Sequence, residues 1–314
     1  MKICMIVHAY YLKDARVRRY AETLVSEGVT VDVLCLREGD EAIFEQHDGV
    51  SIHRVNVTRR RGGVISYVLE YLDAFIHFFW KLNKLHFSGH RYDVIHFHNF
   101  PNFLIFTAVV QKISGAKLLL DVHDPMPELF RSKFRINEKH LIIRLLCIEE
   151  RLSAAFADYI IAANDAFKDL LVARSCASSK IAVIMNGPDE KFCVEDSIQS
   201  EVRNNSKPFE VLYIGTLAER YGIEIALQAI AKIKHEHKID NIRLSIIPKI
   251  KNEGDYADRL FQFIRELGLE NCSQILEPVA HHKMPDVIRA ADVSVYTPLP
   301  DVHMDIALSL KIPE

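Results

Sequence analysis

The absences in this chain narrow its class before any motif is considered. Its six cysteines (Cys4, Cys35, Cys147, Cys176, Cys193 and Cys272) contain no C-x-x-C pair and no repeated spacing. That pattern argues against structural zinc and against a disulfide framework, and for buried thiols in a reducing compartment. No apolar run reaches the ~20 residues that a membrane-spanning helix requires. The opening MKICMIVHAYY runs straight into a strand-like stretch, without the hydrophobic region and small-residue cleavage site of a secretory signal, so a cytoplasmic location is expected. A net charge of −3 gives no chain-wide basic field, which makes nucleic acid a poor partner and any cationic site a local one. Internal repeats and low-complexity tracts are also missing.

What is present is an ordinary globular composition, 49% hydrophobic and 26% charged, in 314 residues, enough for two domains of ~100–200 residues. Short β-branched runs alternate with helical patterns, the signature of a parallel sheet covered by helices. Strands are expected over Lys2 to His8, Thr30 to Leu36, Ser51 to Val57, Val94 to His98, Lys117 to Val122, Tyr159 to Ala162 and Ile181 to Ile184. Between them, helices are expected at Ala15 to Glu27, Ile65 to His86, Phe103 to Ser114, His140 to Ala157 and Ala166 to Ala173. From Asn186 to Pro208 turn formers and charges replace periodicity. The same grammar resumes with strands at Glu210 to Ile214, Arg243 to Ile247, Gln274 to Leu276 and Val293 to Tyr296, and helices at Gly222 to His235, Tyr256 to Leu267 and Lys283 to Ala290. The expected organisation is an N-terminal domain over 1–188, a linker over 189–208 and a second domain over 209–314. The closing ALSLKIPE reads as the opening turns of a helix, so the second domain is expected to lack a final βα unit.

Ligands of such sheets bind outside the carboxyl ends of the strands, which directs the search to the loops that follow them. After the first strand, HAYYLKDARVRR starts a helix near Asp14, whose N-terminal amides, with Tyr10 and Arg16 alongside, suit an anion or a sugar hydroxyl. A capped surface helix explains the same letters. After Lys117 to Val122, DVHDPMPELF gathers Asp121, His123, Asp124 and Glu128 in a proline-stiffened loop, where a histidine can polarise a hydroxyl. In the second half, YIGTLAERYG is a strand, a turn and a helix start. Gly215, Thr216 and Arg220 there are placed to hold a diphosphate, with Lys249 after the next strand and Lys311 and Glu314 near the chain end on the same edge.

These residues resemble a known family, the retaining glycosyltransferases of family four, whose two facing Rossmann-like domains form the GT-B architecture. The likeness spans the chain. MKICMIVHAYYLKDARVRR looks like the branch with a D-x-R-V segment after the first strand and no Gly-Gly loop; YDVIHFHNFP is similar to the family's Y-D-V-I-H-x-H. LLLDVHDPMPELF resembles D-x-H-E-x-x-x-E with Asp124 at the glutamate, and IAVIMNGPDEKF resembles the interdomain I-x-V-I-x-N-G-x-D-x-x-x-F. The resemblance implies that His123 contacts the transferred sugar and Val279 the base, and that Glu314 binds the ribose with Lys311 three residues before it. At the diphosphate clamp, Thr216 and Tyr221 stand where the family carries arginine and lysine, leaving Arg220 as the cation. The implied fold is α/β, two doubly wound parallel-sheet domains facing across a cleft, the second truncated. The implied reaction moves a sugar from a nucleoside diphosphate sugar to a glycan or lipid-linked acceptor with retention, without a metal, and no D-x-D pair is present to hold one.

Arg59, Arg60 and Arg61 precede a helix carrying Tyr67, Tyr71, Phe75, Phe78, Phe79 and Trp80. With Arg131, Lys133, Arg135 and Lys139, such a basic rim with exposed aromatics would suit contact with the inner face of a membrane, but a buried helix with a solvated charged end explains the same residues and is the reading preferred on sequence alone. Two other functions fit the same fold: a sugar-nucleotide epimerase, and a non-catalytic binding protein.

Overall fold

The structure is a computed structural model and describes residues 1–60, 63–187, 207–249, 255–280 and 283–307. The described chain divides into two compact units, Met1–Asn186 together with Asp305–Ala307, and the described part of Gly187–Met304.

The first unit is built on an eight-stranded sheet, ordered β3-β4-β2-β1-β5-β6-β7-β8. Its parallel strands are β1 (Lys2–Val7), β2 (Thr30–Leu36), β4 (Val50–Val55), β5 (Val94–His98), β6 (Lys117–Val122), β7 (Tyr159–Ala162) and β8 (Ile181–Val183). β3 (Phe44–His47) is antiparallel to β4 at the edge. The strands form where β-branched and aliphatic residues run together, because a sheet covered on both faces buries every position. In β2 six of the seven residues are buried. On one face α1 (Ala15–Ser26) closes a core of Met5, Val17, Ala21, Val33 and Ile52. On the other lie α2 (Val64–Phe87), α3 (Val109–Ile113), α4 (Met126–Phe134), α5 (Leu141–Phe156) and α6 (Asp165–Arg174), over a core that includes Phe78, Leu82, Ile95, Phe97 and Phe167.

The chain leaves β1 toward β2 and leaves β5 toward β6, in opposite directions across the sheet, while β1 and β5 are neighbours. The carboxyl ends of these two strands therefore flank the topological switch point, where doubly wound sheets bind ligands.

Three features differ from the sequence reading. DVHDPMPELF is not a loop throughout: α4 begins at Met126, because a proline in the first turn of a helix sacrifices only an amide that has no partner there. The segment expected as a helix from Phe103 starts as a 3₁₀ stretch over Asn102–Ala108 and becomes α-helical only at Val109. The sequence does not predict β3; it is joined to β4 through Asp48 and Gly49, both at positive φ, the geometry of a tight hairpin turn.

The second unit carries a four-stranded parallel sheet, ordered β11-β10-β9-β12, from β9 (Phe209–Gly215), β10 (Ile242–Pro248), β11 (Ser273–Ile275) and β12 (Val293–Ser294). α7 (Ile223–His235), α8 (Asp255–Glu266) and α9 (Met284–Ala290) connect them. Tyr213, Leu227, Leu244, Ile246 and Leu260 are among its buried core residues. Fully burying each such side chain is worth ~1.5–3 kcal/mol.

Candidate active site

Successive side chains of a strand face opposite ways, so in VIHFH the two histidines share one face of β5 while Ile95 and Phe97 pack into the core on the other. The parallel register pairs His98 with Asp121 on β6, which brings that carboxylate to the same face. α1 lies over this face and lowers Arg16 and Tyr20 onto it: the Arg16 guanidinium donates to Asp121 Oδ1 at 2.8 Å, and the Tyr20 ring stacks on His98 with 6.0 Å between centroids. His123 follows β6 directly. Its Nε2 lies 3.3 Å from Asp121 Oδ2 and 3.1 Å from His98 Nδ1. Asn99 fixes the loop, since its side-chain oxygen accepts from the His123 amide at 2.7 Å while its nitrogen donates to the Asp124 carbonyl at 2.7 Å.

Asp121 is completely buried. Burial alone would raise its pKa, but the charge of His123 and the hydrogen bonds from His123, His96 and His98 outweigh it and hold the carboxyl well below its usual range. Burial, then His96, push His98 the other way, well below an ordinary histidine, against the pull of Asp121. The cluster is thus an ionised carboxylate and a guanidinium in contact, with His98 neutral beside them. His123, with a side chain 18% exposed, is the member that reaches the surface. Such a network fixes the orientation of the outermost ring, because every rotation breaks a buried contact. His96, His98 and Asp121 also offer ligand atoms within 4.8 Å of one another, a spacing able to hold a cation, although the sequence reading named no metal ligand.

Of the residues expected at this edge, Arg16 and His123 are brought together through Asp121. Asp14 is the N-cap of α1, its carboxylate accepting from the Val17 amide at 3.1 Å, which is the capping role the sequence also allowed. Tyr10 is half-buried beneath the Arg59 guanidinium, 5.1 Å from its ring centre. Glu128 is directed elsewhere: both its oxygens accept from Arg174, at 2.6 and 2.8 Å, and Arg174 also donates to both oxygens of Glu150. This buried group ties α4, α5 and α6 together, so the Glu128 carboxylate is structural where the sequence reading placed it beside the histidine. His96 and His98 went unremarked as site residues, and the signal that could have found them is the two-residue spacing inside a strand, which puts both on one face.

Beside the end of β1 a cavity of about 150 Å³ is lined by His8, Arg59, Tyr67, Tyr71, Phe130 and Lys133, among others. Burial, and after it the Arg59 charge, lower the His8 pKa to about 3, so it lines the cavity uncharged.

In the second unit Gly215 ends β9, and Thr216, Arg220, Lys249 and Val279 follow carboxyl ends of parallel strands, so all five lie along one edge of that sheet. The turn from β9 into α7 pivots on Gly222 at φ +58, where an added Cβ would stand 2.1 Å from the Thr297 carbonyl oxygen. Only glycine fits there. Thr297 Oγ1 donates to the Gly222 carbonyl at 2.9 Å and holds the turn closed. Arg220 is half-buried, donating to the Tyr221 hydroxyl at 3.1 Å with its guanidinium 5.0 Å from that ring. The Lys249 amide donates to the Gly215 carbonyl at 3.0 Å and its side chain is exposed. Val279 is half-buried. Lys311 and Glu314 lie outside the described residues.

Two Rossmann-like parallel-sheet units in one chain are the GT-B architecture. Comparison with solved structures agrees. Sucrose-phosphate synthase from Thermosynechococcus elongatus superposes with a TM-score of 0.69 at 17% identity, over 95% of this chain and 77% of that one. Anabaena Alr3699/HepE in complex with UDP superposes with a TM-score of 0.65 at 18% identity, over 96% and 75%. The glycosyl transferase 4-like domain family matches residues 14–187, more than half of the chain, and the glycosyl transferases group 1 family matches 194–300. The chain belongs to these family-four, group 1 glycosyltransferases, a family of retaining enzymes. Among curated proteins it is 28% identical to the chitobiosyldiphosphodolichol beta-mannosyltransferase of Kluyveromyces lactis over 148 residues, 46% of this chain and 32% of that one. The match thus spans about a third of the length of that relative. No helix among the described residues is long and apolar enough to cross a membrane.

Proposed function

We propose that this protein transfers a sugar, with retention, from a nucleoside diphosphate sugar to a glycan or lipid-linked acceptor in cell-surface polysaccharide synthesis, acting in the cytoplasm in peripheral contact with the membrane. The observation that carries the reading is the buried Arg16–Asp121–His98 network ending at His123, in a chain of this family. With Nε2 turned to Asp121 and His98, His123 has Nδ1 left to meet a hydroxyl of the sugar. Tyr10, Asp14 and Arg16, at the end of β1, form the acceptor side, and Asp124 stands next to the histidine. The nucleotide is assigned to the edge of the second unit: Gly215 and Thr216 at the phosphates with Arg220, Lys249 and Lys311, Val279 at the base and Glu314 at the ribose. That Alr3699/HepE holds UDP in one solved complex and UDP-glucose in another supports a uridine nucleotide as the first donor to try.

In the reaction, the bond between the anomeric carbon and the diphosphate oxygen breaks as the acceptor oxygen bonds to the same face of the sugar. The acceptor proton passes to the departing phosphate. The leaving group gains negative charge as it departs, so fixed cations and helix amides stabilise the transition state more than the ground state. No metal is assigned a part in this step.

The test is donor turnover by the full-length protein with candidate acceptors, alongside calorimetric titration with UDP and GDP. Turnover that survives both His123→Ala and Arg220→Ala undiminished would count against the assigned site. Conversion of donor without acceptor would instead identify an epimerase, and failure to bind either nucleotide a non-catalytic binding protein.

A further inference from the structure

The outward face of α2 breaks the usual rule for a helix on a folded domain, which turns charge to solvent. From Ile65 to Phe87 the exposed residues are apolar except Lys84, while His77, with a side chain 42% exposed, lies paired to Asp73 beside them. Ile65, Leu69, Leu72, Ile76, Trp80 and Phe87 recur at spacings of three, four and seven, so they form one stripe along a helix ~36 Å long. Trp80 is 68% exposed and Phe87 76%. Of the aromatics expected to be exposed from the sequence, Trp80 is: Phe78 is fully buried, Phe75 and Phe79 stack on each other, and Tyr71 packs against the α4–α5 cluster.

α5 repeats the pattern with Leu141, Leu145, Ile148 and Leu152, all about half exposed or more. The two helices belong to one face of the first unit. Phe75 of α2 meets Phe103, and Phe106 meets Phe156 of α5, across the 3₁₀ segment on which both helices rest. Tyr71, Phe130 and Ile143 join α2, α4 and α5 in a single cluster.

The exposed charges around this face are mostly of one sign. Arg60, Lys84, Lys133, Arg135, Arg144 and Arg151 are all at the surface. The acids nearby are engaged: Glu138 pairs with Arg131 at 3.5 Å, and Asp73 with His77 at 3.2 Å. A two-fold interface with a second copy would set these cations against their own images. An anionic lipid surface satisfies both halves of the pattern, accepting apolar side chains at the level of the acyl chains and arginine and lysine among the phosphates.

We propose that the α2–α5 face of the first unit is a docking surface for an anionic bilayer, with Trp80 immersed at the headgroup boundary. The inference rests on the peripheral membrane contact proposed above and gives it a location.

Trp80 is the single tryptophan of the chain, so its fluorescence reports this surface alone. The full-length protein is mixed with phosphatidylglycerol–phosphatidylcholine vesicles and, separately, with phosphatidylcholine alone. The expected result is co-sedimentation with the anionic vesicles, a blue shift of Trp80 emission, quenching by bromine-labelled acyl chains, and weakening of all three in high salt. Ile76→Asp or Ile148→Asp, both at exposed positions where folding is not at stake, should weaken binding at least tenfold. Arg144→Gln and Arg151→Gln should each cost about fivefold on anionic vesicles and little on neutral ones. Sedimentation without a change at Trp80 would place membrane contact on another surface and overturn the assignment. Absence of sedimentation would overturn the membrane reading with it. A blue shift that grows with protein concentration in the absence of lipid would show a second copy on this face, against the proposal. UDP titration of the same preparations keeps these outcomes separate from the transferase reading, because nucleotide binding can persist when lipid binding fails.

Discussion

The carboxyl edges of the two sheets build their candidate sites by opposite means. In the first unit the polar groups are interior: Asp121 is wholly buried, and Arg16 and His98 nearly so, each held by the others before any substrate arrives. In the second unit the assigned groups hang from turns; Arg220 lies on the neighbouring Tyr221 ring and Lys249 is exposed. Backbone geometry does the positioning there, through Gly222 and Thr297. In the proposed reaction, a histidine that presents one ring to a neutral sugar would gain from being locked. Cations that meet a highly charged diphosphate gain more from staying hydrated until it binds, since burying an unpaired charge is costly.

Asp121→Ala should expose this difference most strongly. It leaves the Arg16 charge buried without its partner, and the expected loss is about 3–5 kcal/mol in urea denaturation. A loss below ~1 kcal/mol would mean that the cluster is not the locked network described. Gly222→Ala should come next, at about 2 kcal/mol or somewhat more. The left-handed conformation alone costs a side chain ~1–2 kcal/mol, and the Thr297 carbonyl must also yield. UDP affinity should fall with it, and unchanged affinity would detach this turn from the phosphate site. His123→Ala should lower kcat/KM by roughly 10- to 100-fold, the worth of ~1.5–3 kcal/mol of hydrogen bonding, while the urea midpoint moves little. Arg220→Gln is expected to raise KM for the donor about tenfold and to leave stability within ~0.5 kcal/mol. If it instead destabilises the fold as much as Asp121→Ala does, the contrast between the two edges fails.

Stability should also depend on pH. Burial depresses His8 to about 3 and His53 to about 4, and depresses His98 as well. Between pH 6.5 and 4 the unfolded chain therefore binds protons at these sites that the native protein excludes, and stability falls as pH falls. Glu149 works against them. Burial raises it to about 7 despite a hydrogen bond from Asn102, so the native state takes up one proton below that pH that the unfolded state accepts only near 4.5. Three histidines against one glutamate leave a net loss on acidification, read as a lower melting temperature at pH 5 than at pH 7. A rise would reverse the assignment of buried neutral histidines.

Much of the fold could be read directly from residue patterns. Thr30–Leu36, Val94–His98 and Lys117–Val122 are strands over the bounds expected, because central parallel strands are continuous apolar runs with sharp ends. β3 escaped because FEQH is a half-exposed edge strand with no apolar run, and only the Asp48–Gly49 turn marks it. α4 is hidden because Pro125 and Pro127 look like loop formers, whereas a helix start tolerates proline. At the site, His123 and Arg16 could be named from their loops. Their linkage through Asp121 could not, because it depends on a register between strands 23 residues apart, His98 against Asp121. Glu128 was misplaced for the same reason: Arg174, which claims it, lies 46 residues away.

One consequence of β5 reaches beyond the site. Its alternating letters put two histidines above the sheet and two core side chains, Ile95 and Phe97, below it, so a single inserted or deleted residue would send imidazoles into the apolar layer and hydrocarbon toward Asp121 and Arg16. Drift in this segment is confined to substitution, whereas the surface turns of the same unit can lengthen or shorten, and the spacing of H-x-H is as constrained as the identity of its letters.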